Sequence, residues 1–186
     1  RREYYRIEDM IALEITPLAA AEAASGEVLQ DASPLFNLLS ELHLSEFESQ
    51  HLLRQISERD RTLSSYLKTL NKRVELLSQI VAQTVLGKIG ELQPVQLSEG
   101  GIEFEHPQPC ATGSHLSIKL VLMPQALGLL LRARVVDCQA KAGGYRINTE
   151  FESLTDTQRQ LLARYILQKQ AQARRLAREQ QESAGE

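Results

Sequence analysis

SEFESQHLLRQISERDRTLSSYLKTLNKRVELLSQIVAQTVLG, residues Ser45 to Gly87, reads as one long amphipathic helix. With Leu53 at an a position, the a series is Leu53, Asp60, Leu67, Val74 and Val81, and the d series is Ile56, Leu63, Leu70, Leu77 and Thr84. Steps of three and four residues over several heptads place these side chains on one stripe. No Gly or Pro intervenes before Gly87, and Ser45-Glu46-Phe47-Glu48 has the form of a capping box at the start. A helix of roughly 40 residues is about 60 Å long, more than a small domain can cover. The stripe Leu63, Leu67, Leu70, Val74, Leu77 and Val81 is therefore expected to bury itself against other copies of the chain. The alternative is a helix that folds back on Pro34–Leu44 and the C-terminal helix within one monomer. Asp60, flanked by Arg59 and Arg61, is the one defect in the apolar a series.

Working outward, Ser33-Pro34 resembles an N-cap followed by Pro at the first helical position, and it opens a short apolar helix, Leu35 to Leu42. Ahead of it, Leu18 to Asp31 is Ala-rich and without period, a linker with room for a short helical turn. Ile7 to Thr16 alternates, with Ile11, Leu13 and Ile15 on one face, as a half-buried strand does. Beyond Gly87 or Gly90 the period changes to two. Val95–Leu97, Ile102–His106, Leu116–Leu122, Leu129–Cys138 and Tyr145–Phe151 follow as strands, punctuated by glycine and proline turns such as Gly143-Gly144. Short strands at this spacing suggest a small antiparallel barrel. Thr155-Asp156-Thr157-Gln158 then caps a last helix with Leu161, Leu162, Tyr165 and Ile166 as its apolar stripe; past Leu176 the tail is polar and is expected to fray. The first strand stands apart from the others, so the helices read as an insertion into a β domain.

Composition narrows the function. The 186 residues carry a formal net charge of -3, which disfavours a dedicated nucleic-acid binder even though Arg159, Arg164, Lys169, Arg174, Arg175 and Arg178 run without an acid until Glu179. No apolar run has the length of a membrane span. Cys110 and Cys138 form no CxxC; free thiols in a reducing cytoplasm fit them, and a single disulfide stays open. Nothing points to an enzyme or a metal centre. His43, His51, His106 and His115 are scattered, and Glu48-x-x-His51 is one such pair where a di-iron bundle uses two with further carboxylates. There is no phosphate loop, and Ser98 lacks the flanks and partners of a nucleophile elbow.

Two features belong together. Arg2 and Arg6 stand i, i+4 in a basic, aromatic opening segment, and Gln96-Leu97-Ser98-Glu99-Gly100-Gly101 sets a polar side chain, a hydroxyl and glycines at a strand-to-strand turn. The pair resembles the signature of the PilZ domain, Arg-x-x-x-Arg followed much later by Asp/Asn-x-Ser-x-x-Gly. Tyr145–Phe151 and Arg164–Ile166 sit where such domains carry their last strand and final helix. The inserted heptads resemble an atypical, tetramer-forming PilZ subclass.

The resemblance implies an α+β fold: a small six-stranded antiparallel barrel with a C-terminal helix at 1–17 and 91–178. It implies a helical insertion at 18–90 containing the heptad helix at about 45–87, and a polar tail at 179–186. It implies a cytoplasmic receptor for cyclic di-GMP, tetrameric, with a downstream protein partner and no cofactor. Arg2 and Arg6 would grip phosphate and guanine as charged forks, Gln96 and Ser98 would read a guanine edge, and Gly101 would allow close backbone approach. Gln96 departs from the family's Asp or Asn by a methylene, a change worth on the order of 1 kcal/mol for one displaced hydrogen bond. The other reading is an oligomeric scaffold of the same architecture that binds no nucleotide.

Overall fold

The computed structural model describes residues 4–184. Its strands are β1 (Ile7–Ile11), β2 (Leu13–Leu18), β3 (Gln93–Ser98), β4 (Gly101–His106), β5 (His115–Leu122), β6 (Leu127–Lys141) and β7 (Gly144–Glu152). Its helices are α1 (Ala20–Ala24), α2 (Pro34–Arg59), α3 (Arg61–Ile89) and α4 (Asp156–Ser183). The strands form one antiparallel sheet in the order β1-β3-β4-β7-β6-β5-β2. Its two edges are the two halves of one N-terminal strand. Ile7 pairs with Leu97 on β3, while Leu13 pairs with Leu120 on β5, and the break between them is Ala12. The sheet thus curls until its ends are joined by a single residue. The seventh strand, beyond the six expected, comes from this division.

Alternation explains the barrel interior. Ile7, Ile11, Leu97, Ile102, Phe104, Ile118, Leu120, Leu131 and Ile147 all point inward and are buried together. Burial on both faces occurs at the break, where Ile11, Ala12 and Leu13 are all buried, and along β5 and β6, as at Leu120–Leu122, where the hairpin covers the outer face. Leu161, Leu162, Tyr165 and Ile166 on α4 close the same core. The Tyr165 hydroxyl donates to the Asp9 carboxylate, and Lys169 lies 3.4 Å from the other Asp9 oxygen, so α4 is latched to β1. The helix does not fray past Leu176. It continues, fully exposed, to Ser183.

The helical region corrects the expectation of one helix from Ser45 to Gly87. No residue between Leu42 and Ser45 breaks a helix, so α2 runs through Ser45 without using it as a cap. The chain turns instead at Asp60, whose extended backbone (φ -143°, ψ 100°) ends α2 while its carboxylate accepts the Leu63 amide to begin α3. Asp60 is out of place in the heptads because it is a helix cap. The two helices fold back on each other as an antiparallel hairpin. Phe36 and Leu39 near the start of α2 meet Ala82, Val85 and Ile89 near the end of α3. Ala12, Val121 and Ala126 of the barrel join this cluster, and the Ser40 hydroxyl donates to the Gly128 carbonyl at 2.8 Å. Between α1 and α2 the chain is pinned by Lys119, 3.1 Å from Asp31.

Folding back covers one face of α3 and leaves its neighbour bare. Ser64, Ser78, Ala82, Val85 and Ile89 are buried. Of the expected interface residues, Leu67, Leu70 and Val81 are half-buried, whereas Leu63, Val74 and Leu77 remain exposed within the single chain. Tyr66 and Ile80 are 60% and 67% exposed beside them. No described helix is long and apolar enough to cross a membrane.

Burial and the bond to Asp9 push the Tyr165 phenol far above its ordinary value of 10.0. A raised acid pKa means that the latch is intact below about pH 10 and is lost as the pH rises beyond it, because the unfolded phenol ionises first. Tyr165→Phe is expected to lose about 1–3 kcal/mol near neutrality. Thermal melts above pH 10 should show the wild-type protein's advantage over this variant shrinking.

Candidate functional site

The signature residues meet on the outer face of the barrel. Because Ile7, Leu97 and Ile102 turn inward, their neighbours Glu8, Gln96 and Glu103 turn outward, and the register sets Gln96 between Glu8 and Glu103. Arg6 enters from just before β1, its guanidinium 3.8 Å from one Glu103 oxygen. Arg146 on β7 approaches the other oxygen at 3.5 Å. One carboxylate therefore lies between two guanidinium groups. Beside them runs a groove of about 450 Å³, lined by Glu8, Met10, Gln96, Glu103, Glu105 and Arg146 among others.

Ser98 shapes the turn at one end of this face. Its buried hydroxyl accepts the Gly100 and Gly101 amides, each at 3.2 Å, and faces the Gly101 carbonyl at 3.3 Å. Gly101 is needed for close approach to backbone, whereas Gly100 faces only the partly exposed Tyr4 side chain. A methyl group on Gly100 would stand 2.6 Å from the Tyr4 ring, and one on Gly101 would stand 2.0 Å from the Thr149 carbonyl oxygen. The turn is tied to β7 by the Phe151 amide, which donates to Gly100 at 2.8 Å. Ser98 and Gly101 thus hold the turn in place, and the Ser98 hydroxyl is engaged within it.

The structure brings Arg6, Gln96, Ser98 and Gly101 together, although Arg6 is distant from the others in sequence. Arg2 lies outside the described residues. Tyr4, Glu103 and Arg146 were not singled out from the sequence. Strand alternation after Ile102 and Phe104 could have marked Glu103 as outward. Arg146 joins the face only through the pairing of β4 with β7, where it stands opposite Glu105.

A second, smaller cavity of about 220 Å³ lies where the hairpin meets α4, lined by His43, Glu46, Gln50, Arg164 and Tyr165 among others. His43 holds the Glu46 carboxyl below its ordinary range through a hydrogen bond. Arg164 donates to Gln50 at 3.0 Å and lies over the Phe47 ring, which binds α4 to α2. Among the described residues there is no group of three or more His, Cys, Asp or Glu able to hold a metal ion.

A family model for the PilZ domain matches residues 70–168, from within α3 through β7 into α4. The chain belongs to the PilZ domain family. Among solved structures, it resembles a pathogenic protein from Xanthomonas campestris, a tetrameric PilZ domain self-assembled via an unusual helical bundle. That match has a TM-score of 0.58 at 15% identity and covers 93% of this chain and 90% of that one. The Bacillus subtilis inhibitor of motility (MotI/DgrA) aligns at 12% identity with a TM-score of 0.46, over 92% of this chain and 52% of that one. YcgR from Escherichia coli, solved in complex with c-di-GMP, aligns at 16% identity with a TM-score of 0.36, over 48% of this chain and 41% of that one. No curated protein sequence matches. The Xanthomonas likeness establishes a PilZ fold carrying inserted helices.

Gly101→Ala is expected to destabilise the protein by about 3 kcal/mol, because the added methyl group meets backbone that a rotamer change cannot move. Gly87→Ala, at an exposed helical glycine with open space around it, should be neutral or stabilising. Urea denaturation of the two variants separates these outcomes.

Proposed function

We propose that this PilZ protein is a cytoplasmic cyclic di-GMP receptor that assembles as a tetramer through the α2–α3 hairpin and relays ligand binding to a protein partner without catalysing a reaction. The observation that carries this reading is that Arg6 and Gln96 both stand beside Glu103 on one outward face, next to the turn that Ser98 and Gly101 hold. Arg6 is half-exposed and offers a planar fork suited to a phosphodiester or a guanine edge. Gln96 brings an amide to the adjacent position on β3, and Arg2 would add a second fork from the segment that precedes β1.

The oligomer reading rests on the uncovered stripe of α3. Leu63, Tyr66, Val74, Leu77 and Ile80 form an exposed apolar row along the hairpin, of the kind that a helical bundle buries. Leu67, Leu70 and Val81 border it and would complete the seam. The Xanthomonas protein with this fold is a tetramer built on helices, which fits the same use.

A second reading keeps the oligomer and drops the nucleotide. It is favoured by the acids of the same face, since Glu8, Glu103 and Glu105 surround Arg6 and Arg146 and lower its appeal to an anion.

Calorimetric titration with cyclic di-GMP tests the choice. The wild-type chain should bind, and Arg6→Ala should weaken binding at least tenfold, because it removes charge-assisted bonds of about 1.5–3 kcal/mol. Arg178→Ala, at an exposed position on the far end of α4, should change little. Equal losses at both positions would mean general attraction to an anion, and no binding by the wild type would favour the scaffold. For the assembly, Leu77→Asp should place an unpaired charge in each copy's seam at a cost of several kcal/mol. Sedimentation equilibrium should then show a folded monomer or dimer in place of a tetramer.

A further inference from the structure

The shared carboxylate between Arg6 and Arg146 has a consequence for how an anion enters. Each Glu103 oxygen faces a different guanidinium, at 3.8 and 3.5 Å, and the side chain is only 19% exposed while the two arginines are 50% and 42% exposed. Carboxylate and phosphodiester both present two charged oxygens on one centre, and guanidinium groups bind either in the same planar manner. The two arginines come from separate segments, Arg6 just before β1 and Arg146 on β7, and no other acid of the described residues lies within ion-pair distance of either. Glu103 therefore sits where a ligand phosphate would need to sit.

We propose that Arg6 and Arg146 form one anion-binding fork, and that Glu103 is a built-in counter-anion which a ligand phosphate displaces. This deepens the receptor reading and rests on it. Arg146 becomes a ligand-binding residue that the Arg-x-x-x-Arg segment does not contain. Glu103 sets the affinity threshold: it holds both guanidinium groups in place and competes for them. Glu103 stays attached beside the fork when a ligand displaces it, so its charge always offsets part of the fork's positive charge and the wild-type affinity should depend only weakly on salt. Without the Glu103 charge the fork is an open cationic site, and salt should screen it more strongly.

The test titrates cyclic di-GMP into the full chain carrying Glu103→Gln, which keeps size and hydrogen-bonding capacity and removes the charge. Affinity should rise at least tenfold over wild type and should fall more steeply with added salt. Arg146→Ala in the Glu103→Gln background should cancel at least tenfold of that affinity. Thermal melts of each variant establish that it is folded. Binding by Glu103→Gln with none by wild type would overturn displacement of Glu103 by the ligand and, with it, the receptor reading of the wild-type chain. If wild type binds and Arg6→Ala weakens it, but Glu103→Gln is no tighter, the counter-anion is overturned while the receptor reading stands. A tight Glu103→Gln variant that ignores the loss of Arg146 overturns the fork. If neither wild type nor Glu103→Gln binds at millimolar ligand, this proposal and the receptor reading fall together.

Discussion

Because Ile7–Ile11 pairs with β3 and Leu13–Leu18 pairs with β5, one N-terminal strand supplies the hydrogen-bonding partner for both edges of the sheet. An unpaired edge is an invitation to add a foreign strand, and this one segment covers β3 and β5 and leaves only its own two short halves as edges. The bend that makes this possible is Ala12. Its small side chain is 1% exposed and packs in the same cluster as Phe36, Ala82 and Val85. A larger residue there would collide with the root of the hairpin. Barrel closure, the approach of Arg6 to the β3–β4 turn and the seating of the helices therefore share a single short strand.

The hairpin presents two different faces. Small residues such as Ser64, Ser78 and Ala82 face α2 and let the two helices approach closely. Larger ones, including Tyr66, Leu77 and Ile80, are turned away from it. Asp60 fits this division, because it lets the chain reverse with a polar side chain occupied in capping and not stranded on an apolar seam.

Much of this was legible in the chain itself. The strands from Val95 to Phe151 follow from alternation, and the Thr155 capping box forms as its residues suggest, with Gln158 bonding back to the Thr155 amide at 3.1 Å. The heptads were legible as periodicity but not as connectivity. The sequence suggests a capping box at Ser45 and shows Asp60 only as a defect in the stripe, whereas the structure runs α2 through Ser45 and caps α3 with Asp60, as Phe36 and Leu39 pack back against Ala82 and Val85. The candidate site was legible in its motif residues and hidden in its partners. Gln96 and Ser98 announce a turn. That Arg146 and Glu103 share its face depends on which strand lies beside β4, information that no local window contains.

The short run from Arg6 to Ala12 also limits how such a chain can diverge. At one end it must deliver a guanidinium to Glu103, and at the other a small side chain to the helical cluster, while every residue between is fixed in register with β3. Insertion or deletion of one residue would reverse the inward and outward faces and move both ends at once. The segment between Leu18 and Pro34 is held only at points, by Arg132 on the Glu27 carbonyl and by Lys119 on Asp31, and not in continuous register. It crosses outside the sheet, and doubling the length of a flexible loop costs only about 0.6 kcal/mol. Among related chains, length should vary more readily between the anchors of the crossing than in the strand.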